Sequence, residues 1–327
     1  FPWCTVRYIL SQGANFRYNF ACSTSFIVII TMEDVTFDKL YDNYNTLSDA
    51  KDKIAEHSGE YLEAIESTKG GEKEKKLATQ IITKFFKHFP ALQEKAVEAI
   101  FDICEDEDTT IRIAGIKALP SLCKDNLNYT LKVTDILAQL LQVQDPQEYN
   151  VVCNSIMQVM TLNAKIIIKS LFKQVNEPDS YARDKCLKFL VTKVKGLDKS
   201  IITPEIEDFI ISEIKNSLHA VQGHEYVELV GFLKSTRVSQ SFTGQQELVQ
   251  IAFEKAELDK EFDPLDQETN HVDKLLTCIK LVMPYFSSKV ESTKFVMYIC
   301  DKVLPKWNEI GEGQQGELLQ LAILREL

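Results

Sequence analysis

His224-Glu225-Tyr226-Val227-Glu228 opens like the helix of a zinc protease, but that helix needs a second histidine where Glu228 stands. Without it the segment reads as a solvated helix face, since zinc chemistry requires three or four converging ligands. Asp263, Asp266 and Glu268 share an acidic loop that lacks the alternating acids and central glycine of a calcium site. Gly70-Gly71-Glu72-Lys73 has neither the length nor the spacing of a phosphate-cradling loop. The five histidines are scattered, and no Ser/His/Asp or Cys/His set can be nominated from spacing. These residues point away from catalysis and toward a chain that is not an enzyme and uses no cofactor, no metal and no small-molecule substrate.

Two segments have the makings of contact chemistry instead. Leu137-Ala138-Gln139-Leu140-Leu141 is an LxxLL pattern, whose leucines Leu137, Leu140 and Leu141 share one helical face. An exposed helix of this kind lies in a partner's apolar groove; a helix inside an array uses the same stripe to pack on its neighbour. Lys69, Lys73, Lys75, Lys76, Lys84, Lys87 and His88 form a basic cluster interleaved with Phe85 and Phe86. It offers contact with an acidic partner or RNA, against the plainer reading of solvated lysines over core aromatics.

The elements that must position these residues are helices. Phe37, Leu40, Tyr41, Tyr44 and Leu47 recur every three to four residues, as do Leu77, Ile81 and Phe85, and Val133, Ile136, Leu137 and Leu140. Twelve glycines and nine prolines are few for the turns of a β-rich chain of 327 residues. Breaks fall at Gly70-Gly71, His88-Phe89-Pro90, Asp145-Pro146, Glu177-Pro178-Asp179 and Thr203-Pro204, giving helices of about 12 to 18 residues. Glu107-Asp108-Thr109-Thr110-Ile111-Arg112 returns in form as Pro178-Asp179-Ser180-Tyr181-Ala182-Arg183, with a middle copy entering at Asp145-Pro146-Gln147. A period of about 36 residues means helix pairs stacked into a solenoid, because one pair cannot cover its own apolar face. In such arrays the arginine of one unit reaches an aspartate of its neighbour.

The fold class predicted is therefore all-α, a HEAT/armadillo-like helical-repeat solenoid. Residues 32–220 hold the regular repeats and residues 221–327 a looser helical continuation, which the family resemblance given below implies is armadillo-like. Residues 1–31 contain an apolar run, Phe26 to Ile30, but neither the layout of a signal peptide nor the roughly 20 apolar residues of a membrane span. They read as an extension outside the fold, with Met32 as the start. At the other end the apolar stripe of Leu318, Leu319 and Ile323 is still running at the last residue, as in a helix cut short.

Charge sets the class of partner. The formal charge is −11, and Arg7 and Arg17 are the only charged residues in 1–31, so the body is more acidic still. Such a surface repels nucleic acid and attracts basic proteins. Six arginines supply few bidentate phosphate forks. Eight cysteines without a Cys-x-x-Cys pair look like small core residues in a reducing compartment.

Longer strings carry a resemblance. Gly70-Gly71-Glu72-Lys73-Glu74-Lys75-Lys76-Leu77-Ala78, Lys84-Phe85-Phe86-Lys87-His88-Phe89-Pro90, Cys104-Glu105-Asp106-Glu107-Asp108, the LxxLL segment and Phe295 to Pro305 are similar to the apoptosis inhibitor 5 family. The likeness runs from about Met32 to about Pro305. It implies an anti-apoptotic interaction scaffold, nuclear and also cytoplasmic, with HEAT-like then armadillo-like repeats. It further implies partners that include fibroblast growth factor 2 and the chromatin-associated protein Acinus. The family's LxxLL maps onto Leu137, Leu140 and Leu141. Its leucine-zipper segment and basic localisation tail have no counterpart within these 327 residues. The alternative is an RNA-associated nuclear factor using the lysines at 69–88.

Overall fold

Apolar side chains spaced three and four apart can be buried only as helices that pack face to face, and the computed structural model is built that way. It describes residues 37–218, 220–221, 223–265, 270–310 and 314–326, and among these there is no β-strand. The helices are α1 (Phe37–Asp49), α2 (Ser58–Glu66), α3 (Glu72–Phe85), α4 (Gln93–Cys104), α5 (Thr109–Asp125), α6 (Thr130–Leu140), α7 (Pro146–Val175) and α8 (Ser180–Phe189). There follow α9 (Pro204–Ser217), α10 (Gly223–Leu233), α11 (Phe242–Lys255), α12 (His271–Val282), α13 (Thr293–Tyr298), α14 (Trp307–Ile310) and α15 (Gln314–Glu326). The protein is all-α. The reading of residues 1–31 and of Met32 as the start falls outside the described residues.

Many of the helices pack on the next, on the next but one, or on both. Helix α1 contacts α2 and α3, α3 contacts α4 and α5, α5 contacts α6 and α7, and α10 contacts α8, α9 and α12. Polar bonds between elements follow the same short reach: Lys132 to Glu94, Thr134 to Ser170 and Ser155 to the carbonyl of Ile116 join residues 36 to 39 apart. The core is a continuous apolar seam, with Leu40, Ile81, Ile100, Ile116, Val133, Val159, Phe172, Phe189, Ile214, Leu229 and Val249 all at 2% exposure or less.

The sequence signals for helix starts work as expected. Asp108, Asp145 and Asp179 are N-caps, accepting the N–H of Thr110 (2.6 Å), Glu148 (2.7 Å) and Tyr181 (2.9 Å). Pro146 and Pro204 occupy first-turn positions where a missing N–H costs nothing. One break was not expected. Helix α7 runs 30 residues, nearly twice the predicted length, but Asn163 has non-helical angles of −157° and 85°. The Asn163 side chain accepts the N–H of Ile166 (3.2 Å), so it ends one helix and caps another. By length and composition α7 could cross a membrane, yet half of its apolar stretch is buried inside the protein, where α5, α6, α8 and α9 pack on it.

Candidate interaction surface

Arg112 joins the start of α5 to the start of α7. Its Nε and Nη2 bind the two carboxylate oxygens of Glu148 at 2.7 and 2.8 Å, and Nη1 donates to the carbonyls of Asp106 and Glu107. A further bond from Nη2 reaches the Thr109 hydroxyl at 2.9 Å, which occupies all five guanidinium donors. Glu148 is 2% exposed, so this is a buried charge made tolerable by a fork of matching geometry. Arg183 repeats the bridge to Glu225 in the first turn of α10 at 3.0 Å. The arginines therefore reach a neighbour, but the acid is a glutamate in the first turn of a later helix and not an aspartate. Asp in that turn would be one methylene short of the span. Glu225, from the segment first inspected for zinc ligands, is engaged in this bridge.

These bridges bring the starts of several helices to one edge. Lys75, in the first turns of α3, binds Asp106 at 2.6 Å, and that hydrogen bond holds the Asp106 carboxyl below its ordinary range. The Tyr181 hydroxyl donates to the carbonyl of Gln142 across the α6–α7 turn. Along the edge lie Glu107, Asp108, Asp145, Glu177, Asp179 and Asp184, all exposed. Asp108, Asp145 and Asp179 spend part of their charge on backbone N–H groups. Glu107, Glu177 and Asp184 cap nothing and project theirs into solvent.

The leucine and lysine segments are placed differently from an interaction site. Leu137 and Leu141 are fully buried and Leu140 is half-buried, so the LxxLL face packs into the core. Phe85 and Phe86 are also buried, leaving no aromatic platform between the lysines. Lys69 pairs with Glu66, Lys75 with Asp106 and Lys76 with Glu72. Lys84 binds the Tyr44 hydroxyl at 2.8 Å and lies over the Tyr44 ring. Only Lys73 and Lys87 are exposed and without a partner among the described residues. They stand at opposite ends of α3, about 20 Å apart at 1.5 Å per residue. The cluster is contiguous in sequence but not a single patch.

Five of the described cysteines, Cys104, Cys123, Cys153, Cys186 and Cys278, are buried; Cys300 is exposed. Burial pushes the Cys123, Cys186 and Cys278 thiols up to about 12, far from thiolate reactivity at neutral pH. Sequence reasoning did not find the cleft between α9, α10 and α11, because Lys215, Tyr226, Glu247 and Glu254 form no motif along the chain.

The family model described as apoptosis inhibitory protein 5 (API5) matches residues 37–325. The chain is 43% identical over 293 residues to the apoptosis inhibitor 5 homolog of Drosophila melanogaster, covering 88% of this chain and 54% of that protein. It is 40% identical over 293 residues to apoptosis inhibitor 5 of Homo sapiens, covering 89% and 55% respectively. An apoptosis inhibitor 5-like protein of Oryza sativa subsp. japonica is 34% identical over 289 residues, covering 86% and 53%. The chain thus spans about half the length of the curated relatives it matches. With the family model matched from the first described helix to the last, the chain belongs to the apoptosis inhibitor 5 family.

Proposed function

We propose that this chain is the partner-binding scaffold of an apoptosis inhibitor, built of stacked helix pairs and acting by holding basic proteins on its acidic edge. The observation that carries the reading is the row of exposed Glu107, Glu177 and Asp184, displayed along helix starts that Arg112 and Arg183 lock together. An edge with a surplus of exposed acids raises association rates with a basic partner and discriminates against acidic ones. Fibroblast growth factor 2 is the basic partner we propose for it. Acinus, and action in the nucleus and cytoplasm, are proposed from family membership alone. Binding and not catalysis is the activity we assign, since the carboxylates that are not engaged in bridges or caps stand exposed on the surface, outside any cleft.

Calorimetry of the whole chain with fibroblast growth factor 2 and with a generic single-stranded RNA, at low and physiological salt, tests this. Saturable growth-factor binding that persists at physiological salt, with no RNA binding, is the expected result. RNA binding alone, falling steeply with salt as phosphate contacts do, would overturn it.

A further inference from the structure

A cleft of about 460 Å³ opens between the last turn of α9, the start of α10 and the second half of α11. That volume is in the range of small-ligand sites. Its apolar wall is Leu218, Tyr226 and Ile251, and its polar wall is Glu247, Gln250 and Glu254, three acceptor-bearing side chains on one face of α11. At 1.5 Å per residue the acceptors extend over about 10 Å.

The charges in the cleft are not equally available. Lys215 binds Glu247 at 2.5 Å. Lys255 donates to the carbonyl of Val221 at 3.0 Å and lies over the Tyr226 ring. Glu254 receives only the amide of Gln250, at 2.9 Å, and has no cation partner among the described residues. That bond also orients Gln250 so that its amide oxygen is left as an acceptor. Helices α9 and α11 both end at the cleft, at Ser217 and Lys255, and bring the negative ends of their dipoles to it, two against the one positive end that the start of α10 supplies. Both lysines are engaged and Glu247 is shared with one of them, while Glu254 and the Gln250 amide oxygen keep acceptor capacity, so the site favours a cation with several donors.

We propose that this cleft binds the guanidinium of an arginine side chain carried by a partner polypeptide. A planar fork with five donors suits acceptors spread along a helix face better than the compact ammonium of lysine. The methylene stem would lie on Leu218 and Ile251. The site shares no residue with the acidic edge, so either can fail without the other.

The test is an NMR titration of the whole chain with N-acetyl-arginine methylamide, its lysine counterpart and free arginine. The capped arginine should saturate with Kd on the order of 1 mM and bind more tightly than either of the others. Glu254→Gln, an exposed substitution that leaves folding intact, should weaken binding about tenfold by removing a charge-assisted bond. Lys215→Gln should strengthen it severalfold by releasing Glu247, whereas an anion site would weaken. Failure to saturate, indifference to Glu254→Gln, weakening by Lys215→Gln, or tighter binding of lysine or free arginine would each overturn the proposal.

Discussion

At the scale of single residues, the arginine bridges decide most. Removing the Arg112 side chain leaves Glu148 buried and unpaired, so Arg112→Ala should lower stability by about 3–5 kcal/mol in chemical denaturation. Lysine at the same place keeps the charge but loses the fork, and should recover only part of that loss. Glu257 gives a pH signature. Hydrogen bonds from Lys260 and Lys274 lower its carboxyl from 4.5 to about 2. The stability this confers is present above pH 4.5 and fades as the pH falls toward 2. Glu257→Gln should therefore be less stable than the parent at pH 7, with the difference closing across that window in melts recorded at stepped pH. The two arginines were legible as a repeat, since type and spacing recur. Their partners were not, because a spacing of 36 residues says that a neighbour is reached and not which of its acids has the length to meet a guanidinium.

At the scale of elements, the packing of one helix on another sets the tolerances. Gly115 lies where α5 crosses α4: a Cβ there would come within 2.7 Å of Ile103 and 3.0 Å of the Cys104 sulfur. Gly115→Ala should cost about 1–3 kcal/mol through overpacking, read as a lower melting temperature. The LxxLL stripe belongs to this scale as well. Leu137→Ala empties a fully buried site in α6 and should cost about 2–5 kcal/mol, a stability loss and not a selective loss of binding. The leucine pattern could not be assigned from sequence because exposed and buried faces share the same three-and-four spacing. The lysines were ambiguous for a related reason. Neighbours in sequence separate along a helix, and whether Phe85 and Phe86 line a surface or a core depends on what packs over them. Asn163 was readable in principle as an asparagine N-cap, yet the apolar rhythm continues through it and conceals the break.

At the scale of the whole molecule, the sequence gives the all-α character directly: few glycines and prolines, recurrent helical rhythm and a returning acid-turn-arginine motif. The surface chemistry was legible only as a sum. A charge of −11 says that the chain is acidic overall; it does not say that Glu107, Glu177 and Asp184 face solvent beside helix starts that Arg112 and Arg183 bridge in pairs. That ordering comes from the packing of the helices, which brings together residues many positions apart in the chain.

The most direct test of that edge is the binding of fibroblast growth factor 2 to the triple variant Glu107→Gln, Glu177→Gln, Asp184→Asn, compared with the parent chain by surface kinetics at physiological salt. These substitutions keep every helix cap and both arginine bridges, so the melting temperature should be unchanged. The account predicts an affinity at least about tenfold weaker, most of it in the association rate, as expected when a steering charge is removed. Equal affinity and equal association rates for variant and parent would contradict it.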